Sequence, residues 1–358
     1  MESTNKKRFI TFIAVAYGAA ALMWIFMYMG LKSGKDLSVF TLTQMFYPAC
    51  GVMIGTLLFG DKEKKIPKAG FIVMIIATIV LMGMSLASVF TTQKKFQTPT
   101  GEVTNWLSYA QLVLWVASAV CYVLFWVCGK EKRRNAGLSR NAVGKSIILV
   151  ALFVVLFFAR TFITIGSKQI FVNDVAYTVE GMAKLLFSRS NAYLILTILI
   201  EFPLLFLAYF GEEYGWRYYL QPILQEKFGL RRGVLILGVA WGIWHLGLDF
   251  MFYTVNSGPA YLINQIIVCI SMGIFLGYTY MKTQNIWAVT WMHFINNNFA
   301  VLFSNGDANV LQNQTVLLID LPFILLGASV LIVFIFAPIY KGKKDKPESE
   351  QGNEQNVA

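Results

Sequence analysis

The chain is 358 residues long, 57% apolar and only 14% charged, with a formal net charge of +11. Soluble domains run near half apolar and a quarter charged, so this composition excludes an ordinary soluble fold. The basic balance would suit nucleic acid, but its distribution along the chain follows a membrane pattern, and no nucleic-acid partner is expected.

Ten apolar runs follow in order, near 9–31, 37–60, 70–92, 105–128, 146–166, 191–210, 233–252, 260–281, 286–303 and 315–339. Each approaches the ~20 residues that cross a bilayer as a helix. They predict an all-α fold, a polytopic transmembrane bundle of about ten helices. The first run follows "NKKR". It is longer than the roughly 7–15 residues of a signal-peptide core and shows no small-residue cleavage site, so it reads as a retained helix. With the N-terminus in the cytoplasm and the runs alternating, the cytoplasmic side gathers about a threefold excess of Lys and Arg, as the positive-inside rule requires. The main contributors are Lys6 to Arg8, Lys62 to Lys68, the loop "GKEKRRNAGLSRNAVGK" and the tail after Lys341. An integral multi-pass protein is expected, surrounded by membrane lipids, with both termini cytoplasmic. The short basic loops and absence of organelle signals suit a bacterial plasma membrane.

Residues 1–190 hold five helices and no chemical motif, and "SKQIFVNDVAYTVEGMAKLLFSRS" after the fifth fits a short interfacial helix. Residues 191–305 collect nearly all the unusual polar residues and read as a catalytic core. A final helix occupies 306–340, and the polar, aromatic-free stretch 341–358 reads as a disordered cytoplasmic tail. No solenoid or inverted repeat is visible. The four cysteines lie in or beside apolar runs without paired spacing, which supports neither a disulfide framework nor a thiolate metal site.

The sixth run ends in "FGEEYGWRYYLQPILQ". Carboxylates beside hydrocarbon are costly and point to function. On a helix Glu213 and Arg217 are four apart and can pair, while Glu212 points about one residue's rotation away with its carboxylate free. A free carboxylate beside a neutralised partner suits a general base, although an interfacial ion pair accounts for the same pattern. The chain has only two histidines. "AWGIWHLGLDF" puts Trp241 and His245 on one helical face, and "WAVTWMHFINNNF" does the same for His293 and Asn297. Imidazole can polarise water or donate to an oxyanion, and an Asn amide donates without titrating.

The order E-E-x-x-x-R, aromatic-x-x-x-H, H-x-x-x-N resembles the CAAX protease and bacteriocin-processing family, also called Abi, of intramembrane endopeptidases. Glu212, Glu213 and Arg217 match the first motif and His245 the second. Trp241 stands where the family usually has Phe, and His293 with Asn297 matches the third. The resemblance implies that Glu212 takes a proton from a water attacking the scissile carbonyl. His245 would hold that water or pass the proton to the leaving amine. His293 and Asn297 would stabilise the oxyanion, with Glu213 and Arg217 as support. It also implies a peptide or lipidated-protein substrate and, in bacteria, peptide maturation or bacteriocin self-immunity. Two His and a carboxylate are also a zinc set, but Asn297 is a poor zinc ligand and H-E-x-x-H is absent. The metal-free reading, with no cofactor, is preferred.

Two readings of other classes stand beside it: a non-catalytic membrane regulator or immunity protein on the same fold, and a transporter with Glu201, Glu212, Asp249 and the histidines as a proton path. Helical rise puts His293 roughly 10 Å from the cytoplasmic end and His245 about 20 Å from it, a mismatch that calls for a tilted or late-starting seventh helix or for "YGWRYYLQPIL" dipping inward. The site is expected to open toward the cytoplasm. Glu201 and Asp249 are read either as lining the same cavity or as neutral, hydrogen-bonded packing residues, Pro203 as a kink in helix six, and Arg160 and Asp320 as interfacial or paired.

Overall fold

The computed structural model describes residues 3–98, 101–172, 177–304, 306–307 and 309–342. The stretch 343–358, expected as a tail, lies outside them. All ten apolar runs are helical. They are α1 Thr4–Lys32, α2 Ser38–Phe59, α3 Lys68–Phe90, α4 Asn105–Val127, α5 Val143–Phe171, α6 Arg189–Phe228, α7 Leu230–Trp244 continued by Leu246–Tyr253, α8 Gly258–Thr283, α9 Ile286–Asn298 and α10 Leu318–Phe336. Eight are long and apolar enough to cross a membrane, and α7, bent by 42° at His245, makes a ninth if its halves form one span. The 13-residue α9 is too short to cross and lies largely buried. The protein is an all-α polytopic bundle. Between α3 and α4 a small antiparallel hairpin, β1 Lys95–Thr98 and β2 Gly101–Thr104, pairs Lys95 with Thr104.

Local chemistry fixes the helix starts. Thr104, Ser188 and Asn285 each cap a first turn, accepting from the N–H of Leu107, Asn191 and Trp287. Such side chains satisfy amides that the helix itself leaves unbonded. The expected interfacial helix is present as Val179–Leu186, capped by Thr178. Outward faces are apolar, as lipid contact requires; on α5, Ile147 and Ile148 are 64% and 69% exposed.

The interior follows from small residues that let helices close in. A Cβ at Gly211 on α6 would sit 2.4 Å from the Met45 carbonyl oxygen of α2, and Cβ atoms at Gly238 and Gly242 on α7 would meet Cα of Ile270 and Ile266 on α8 at 2.6 and 2.8 Å. Close backbone approach of this kind is how membrane helices pack without a hydrophobic drive between them. Aromatic edges fill the rest: Trp216 of α6 meets Trp244 of α7 and Phe12 of α1, with ring centroids 5.4 and 5.8 Å apart.

Three bonds set the depth of α6 and α9. Tyr214 and Tyr218 donate to the carbonyls of Ala136 and Asn135, and Trp287 Nε1 donates to that of Leu138. Residues 214–218 therefore stand level with the basic loop after α4. The chain continues beyond that level through Gln221–Phe228, turns at Gly229 with φ +83°, and returns as α7. The seventh helix thus starts late, which removes the depth mismatch between His245 and His293. Pro203 lies within α6, which runs from Arg189 to Phe228 as one span.

Gly211→Ala must push α6 from α2, and overpacking of this kind costs about 1–3 kcal/mol. A lowered unfolding midpoint in detergent is expected, whereas Gly83→Ala, whose added Cβ meets nothing within 4 Å, should leave it unchanged or raise it.

Candidate active site

The first motif sits where α6 changes from α-helix to a π-helical turn, Tyr214–Leu220. The inserted wide turn is a common feature of functional sites. Glu212, Glu213 and Arg217 are all buried, the last two completely. Glu213 is the junction. Its Oε1 accepts from His293 Nδ1 at 2.9 Å, and its Oε2 lies 2.9 Å from Arg217 Nε. The Arg217 contact is an ion pair by distance whose angle is not that of a hydrogen bond, since Oε2 and all three guanidinium nitrogens lack a hydrogen-bond partner. Arg217 instead lays its guanidinium over Trp241, 4.7 Å from the ring centroid.

Glu212 departs from the expectation of a free carboxylate. Its Oε2 accepts from Trp241 Nε1 at 2.7 Å and Trp216 Nε1 at 3.4 Å. Its Oε1 carries no protein hydrogen bond among the described residues and is not fully occluded. One oxygen is clamped and the other is left for a small partner.

Trp241 is the common neighbour of both histidines. Its ring centroid lies 5.4 Å from that of His293 and 6.2 Å from that of His245. His245 Nδ1 is 2.9 Å from the Trp241 carbonyl, so this nitrogen carries the proton and Nε2 is the acceptor in the neutral ring. His293 Nδ1 likewise donates to Glu213. Asn297 Oδ1 accepts from Asn296 Nδ2 at 2.9 Å, which leaves the Asn297 amide nitrogen as donor. The shared face of His293 and Asn297 brings both to one cavity without a bond between them.

That cavity, of about 600 Å³, is lined by Trp241, His245, His293 and Asn297 together with Arg160 and Asn296. Glu212 and Glu213 lie behind the Trp241 and His293 walls. Neither Glu201 nor Asp249 reaches the cavity. Glu201 is exposed on the outer face of α6, and Asp249 is fully buried with neither carboxylate oxygen bonded. Asp320 is paired as expected, with Lys168 at 2.6 Å. Arg160, expected to be interfacial or paired, instead faces the cavity and forms no ion pair among the described residues. Its signal in the sequence was a lone cation within an apolar run, and Asn296 was hidden in "NNN".

The direction of opening is a second correction. Apart from the membrane helices and the turn after α9, the cavity walls come from Tyr177, Met182 and the stretch Val310 to Thr315. These follow α5 and precede α10, at the end of the bundle opposite the basic loops. The cavity opens away from the basic end.

The first five helices brace this site. Trp244 Nε1 donates to the Ala16 carbonyl at 2.7 Å, and Gln44 Nε2 donates to the Trp244 carbonyl at 2.8 Å while its Oε1 accepts from Trp24. α1 and α2 thus hold the backbone on which His245 sits. Among the described residues no three His, Cys, Asp or Glu side chains converge as a metal-holding group.

Residues 191–299 match the family model described as type II CAAX prenyl endopeptidase Rce1-like. Over 129 residues the chain is 28% identical to CAAX prenyl protease 2 of Methanococcus maripaludis, an alignment that takes in 34% of this chain and 48% of that protein. The chain therefore spans about half the length of the curated relative it matches. No solved structure matches the chain. Every motif residue, from Glu212 to Asn297, falls inside the segment that matches the type II CAAX prenyl endopeptidase Rce1-like family model.

Proposed function

We propose that the protein is an intramembrane endopeptidase in which Glu212 activates water. The observation that carries this reading is the division of labour around Trp241: its N–H clamps one oxygen of Glu212 while its ring stands between two imidazoles at the cavity wall. Glu212 Oε1 takes a proton from a water whose oxygen attacks the scissile carbonyl carbon. The resulting oxyanion receives hydrogen bonds from the Asn297 amide and from His293 Nε2, which donates when the imidazole, bonded through Nδ1 to Glu213, takes up a second proton. Each such donor is worth about 3–4 kcal/mol in a site of this kind. As the C–N bond breaks, the proton returns to the leaving nitrogen through His245 Nε2, and the two fragments separate with water added across the bond. Glu213 and Arg217 act through His293 and Trp241 as positioning residues. The reading uses no metal, because Asn297 is a poor zinc ligand and the sequence has no H-E-x-x-H.

The substrate is a peptide or lipidated protein. With the basic loops on the cytoplasmic side, the cavity opens toward the outer face, and the chain works on substrates presented there. We take residues 1–190 as a bracing unit, 191–305 as the catalytic core and 306–340 as a closing helix.

In nanodiscs, with a panel of prenylated and unmodified peptides read by mass spectrometry, Glu212→Gln should lower cleavage by about 10²–10⁴-fold. Equal cleavage by both proteins would remove Glu212 as the base. No cleavage by the wild type of any peptide, or of a bacterial membrane extract, would favour a binding scaffold. The orientation is tested separately in a Cys128→Ser background. An impermeant maleimide added to intact cells should label Thr315→Cys and spare Lys64→Cys, and the reverse pattern would place the cavity on the cytoplasmic side.

A further inference from the structure

Behind the active site, α5 and α6 part and leave a groove whose floor is the reverse face of α9. It is apolar, has a volume of about 930 Å³, and is lined by Ile147, Val150, Leu199, Phe206, Trp291 and Ile295 among others. Ile147 and Leu199 are exposed, so the groove is reached from the membrane side. Along α5 its wall runs from Val143 to Phe158, roughly 22 Å at the rise of an α-helix. The apolar depth of one leaflet is about 15 Å, so a lipid chain can lie in the groove lengthwise.

The end of the groove nearest the basic loop is charged. Arg140 lines it, and a small cleft that shares Tyr122, Arg140 and Trp287 with the groove brings in Arg133. Both guanidiniums lie over the Trp126 ring, that of Arg133 at 5.0 Å and that of Arg140 at 4.2 Å from its centroid. Arg133 Nη1 donates to the Trp126 carbonyl, and Arg140 Nη2 donates to the Tyr122 hydroxyl at 3.0 Å. These bonds aim the two forks. The other nitrogens of both carry no protein hydrogen bond among the described residues, and Arg140 is exposed. Among the described residues neither arginine makes an ion pair, and no Asp or Glu lines the groove or the cleft.

Two cations gathered on one indole repel each other, and an anion shared by them removes that cost. Phosphate fits best, because its oxygens match the planar guanidinium forks. Tyr122, Trp126 and Trp287 mark this level as the headgroup region. The Tyr122 and Trp126 rings, which might otherwise cage a choline, are faced by guanidinium instead. We propose that Arg133, Arg140 and the groove between α5 and α6 form a binding site for one anionic phospholipid. Its phosphate rests on the two arginines and one acyl chain lies against the back of α9. The lipid closes the gap behind the helix that carries His293 and Asn297. The site stands whether or not the cavity on the far side of α9 cuts peptides.

Full-length protein in phosphatidylcholine nanodiscs is given a trace of phosphatidylglycerol with a diazirine in one acyl chain, and the photo-adducts are mapped by mass spectrometry. Adducts should concentrate on groove residues such as Val150, Leu199 and Trp291 rather than on the outward Ile76 and Ile148. A phosphatidylcholine probe with the same diazirine should give about tenfold fewer there. Arg140→Gln, at an exposed side chain, should lower the phosphatidylglycerol adducts to the phosphatidylcholine level, and Arg140→Lys should keep part of the difference. Ala151→Trp, which fills the groove and leaves both arginines in place, should remove the groove adducts of both probes. Adducts spread evenly over the lipid-facing helices, equal labelling by the two probes, or a preference that survives in both Arg133→Gln and Arg140→Gln would each overturn the proposal. Displacement of the phosphatidylglycerol probe by an excess of farnesylated peptide would give the groove to substrate and overturn it as well.

Discussion

Everything at this site hangs on one buried carboxylate. Glu213 is fully enclosed, and burying a charge in an apolar bundle is tolerable only against partners. It has two, and they come from different segments: Arg217 one turn along its own helix and His293 from α9. That pairing joins the first motif to the third. Arg217 then packs over Trp241, and Trp241 bonds Glu212, which joins the second motif. Three helices are thereby fixed to one another through polar contacts, in an interior where apolar packing alone would leave rotation and sliding only loosely specified. Removing one member of such a set exposes the remaining charge to a medium with nothing to solvate it, so these residues must be kept or lost together.

The N-terminal half supplies what the three motif helices lack. α7 bends at His245, and a bend leaves backbone groups that need partners. The Trp244 carbonyl is taken by Gln44, and the Trp244 indole finds the Ala16 carbonyl in a π-helical turn of α1. At the other end the basic loop after α4 receives Tyr214, Tyr218 and Trp287 on its carbonyls, and Asn285 reaches the Asn141 carbonyl and Ser146. The first five helices and their loops are thus a frame that fixes the depth of α6, α7 and α9. A frame of this kind carries no motif, because it works through carbonyls and aromatic edges that any similar sequence can provide.

This explains how the sequence could be read and where it could not. The helices were legible because a bilayer imposes a length and a composition on each. The Glu213–Arg217 pair was legible because a four-residue spacing on a helix is local geometry. The Trp241–His245 relation was legible in part: the shared face was right, but the bond runs from the ring to the Trp241 backbone carbonyl. The partners of Glu212 were not legible, since Trp216 and Trp241 reach it only through the π-turn and the packing of α7 on α6. The depths of His245 and His293 were misjudged for a related reason: counting residues from the basic end assumes that α7 begins at that end, whereas the hairpin turning at Gly229 carries its start beyond it. Arg160 was visible as an oddity and misassigned, because only the fold reveals which way a lone cation on a spanning helix faces.

The shortness of α9 ties these points together. Its two faces meet different surroundings. His293, Asn296 and Asn297 face the polar cavity, while Ala288, Trp291 and Ile295 line an apolar groove of about 930 Å³ between α5 and α6. A helix so divided cannot sit at the lipid boundary on its polar side, and it is enclosed by α5, α6 and α8. Had it run the full thickness of the membrane, its last turns would have filled the space above Asn297. Instead it ends after 13 residues, in a run of asparagines and a single 3₁₀ turn, and the following chain folds back to form the rim with Val310 to Thr315. The early stop is what leaves a polar hollow inside an apolar bundle. It also sets the side from which that hollow is reached: α9 begins beside the basic loop and closes that end, so the unfilled half of its path is the way in.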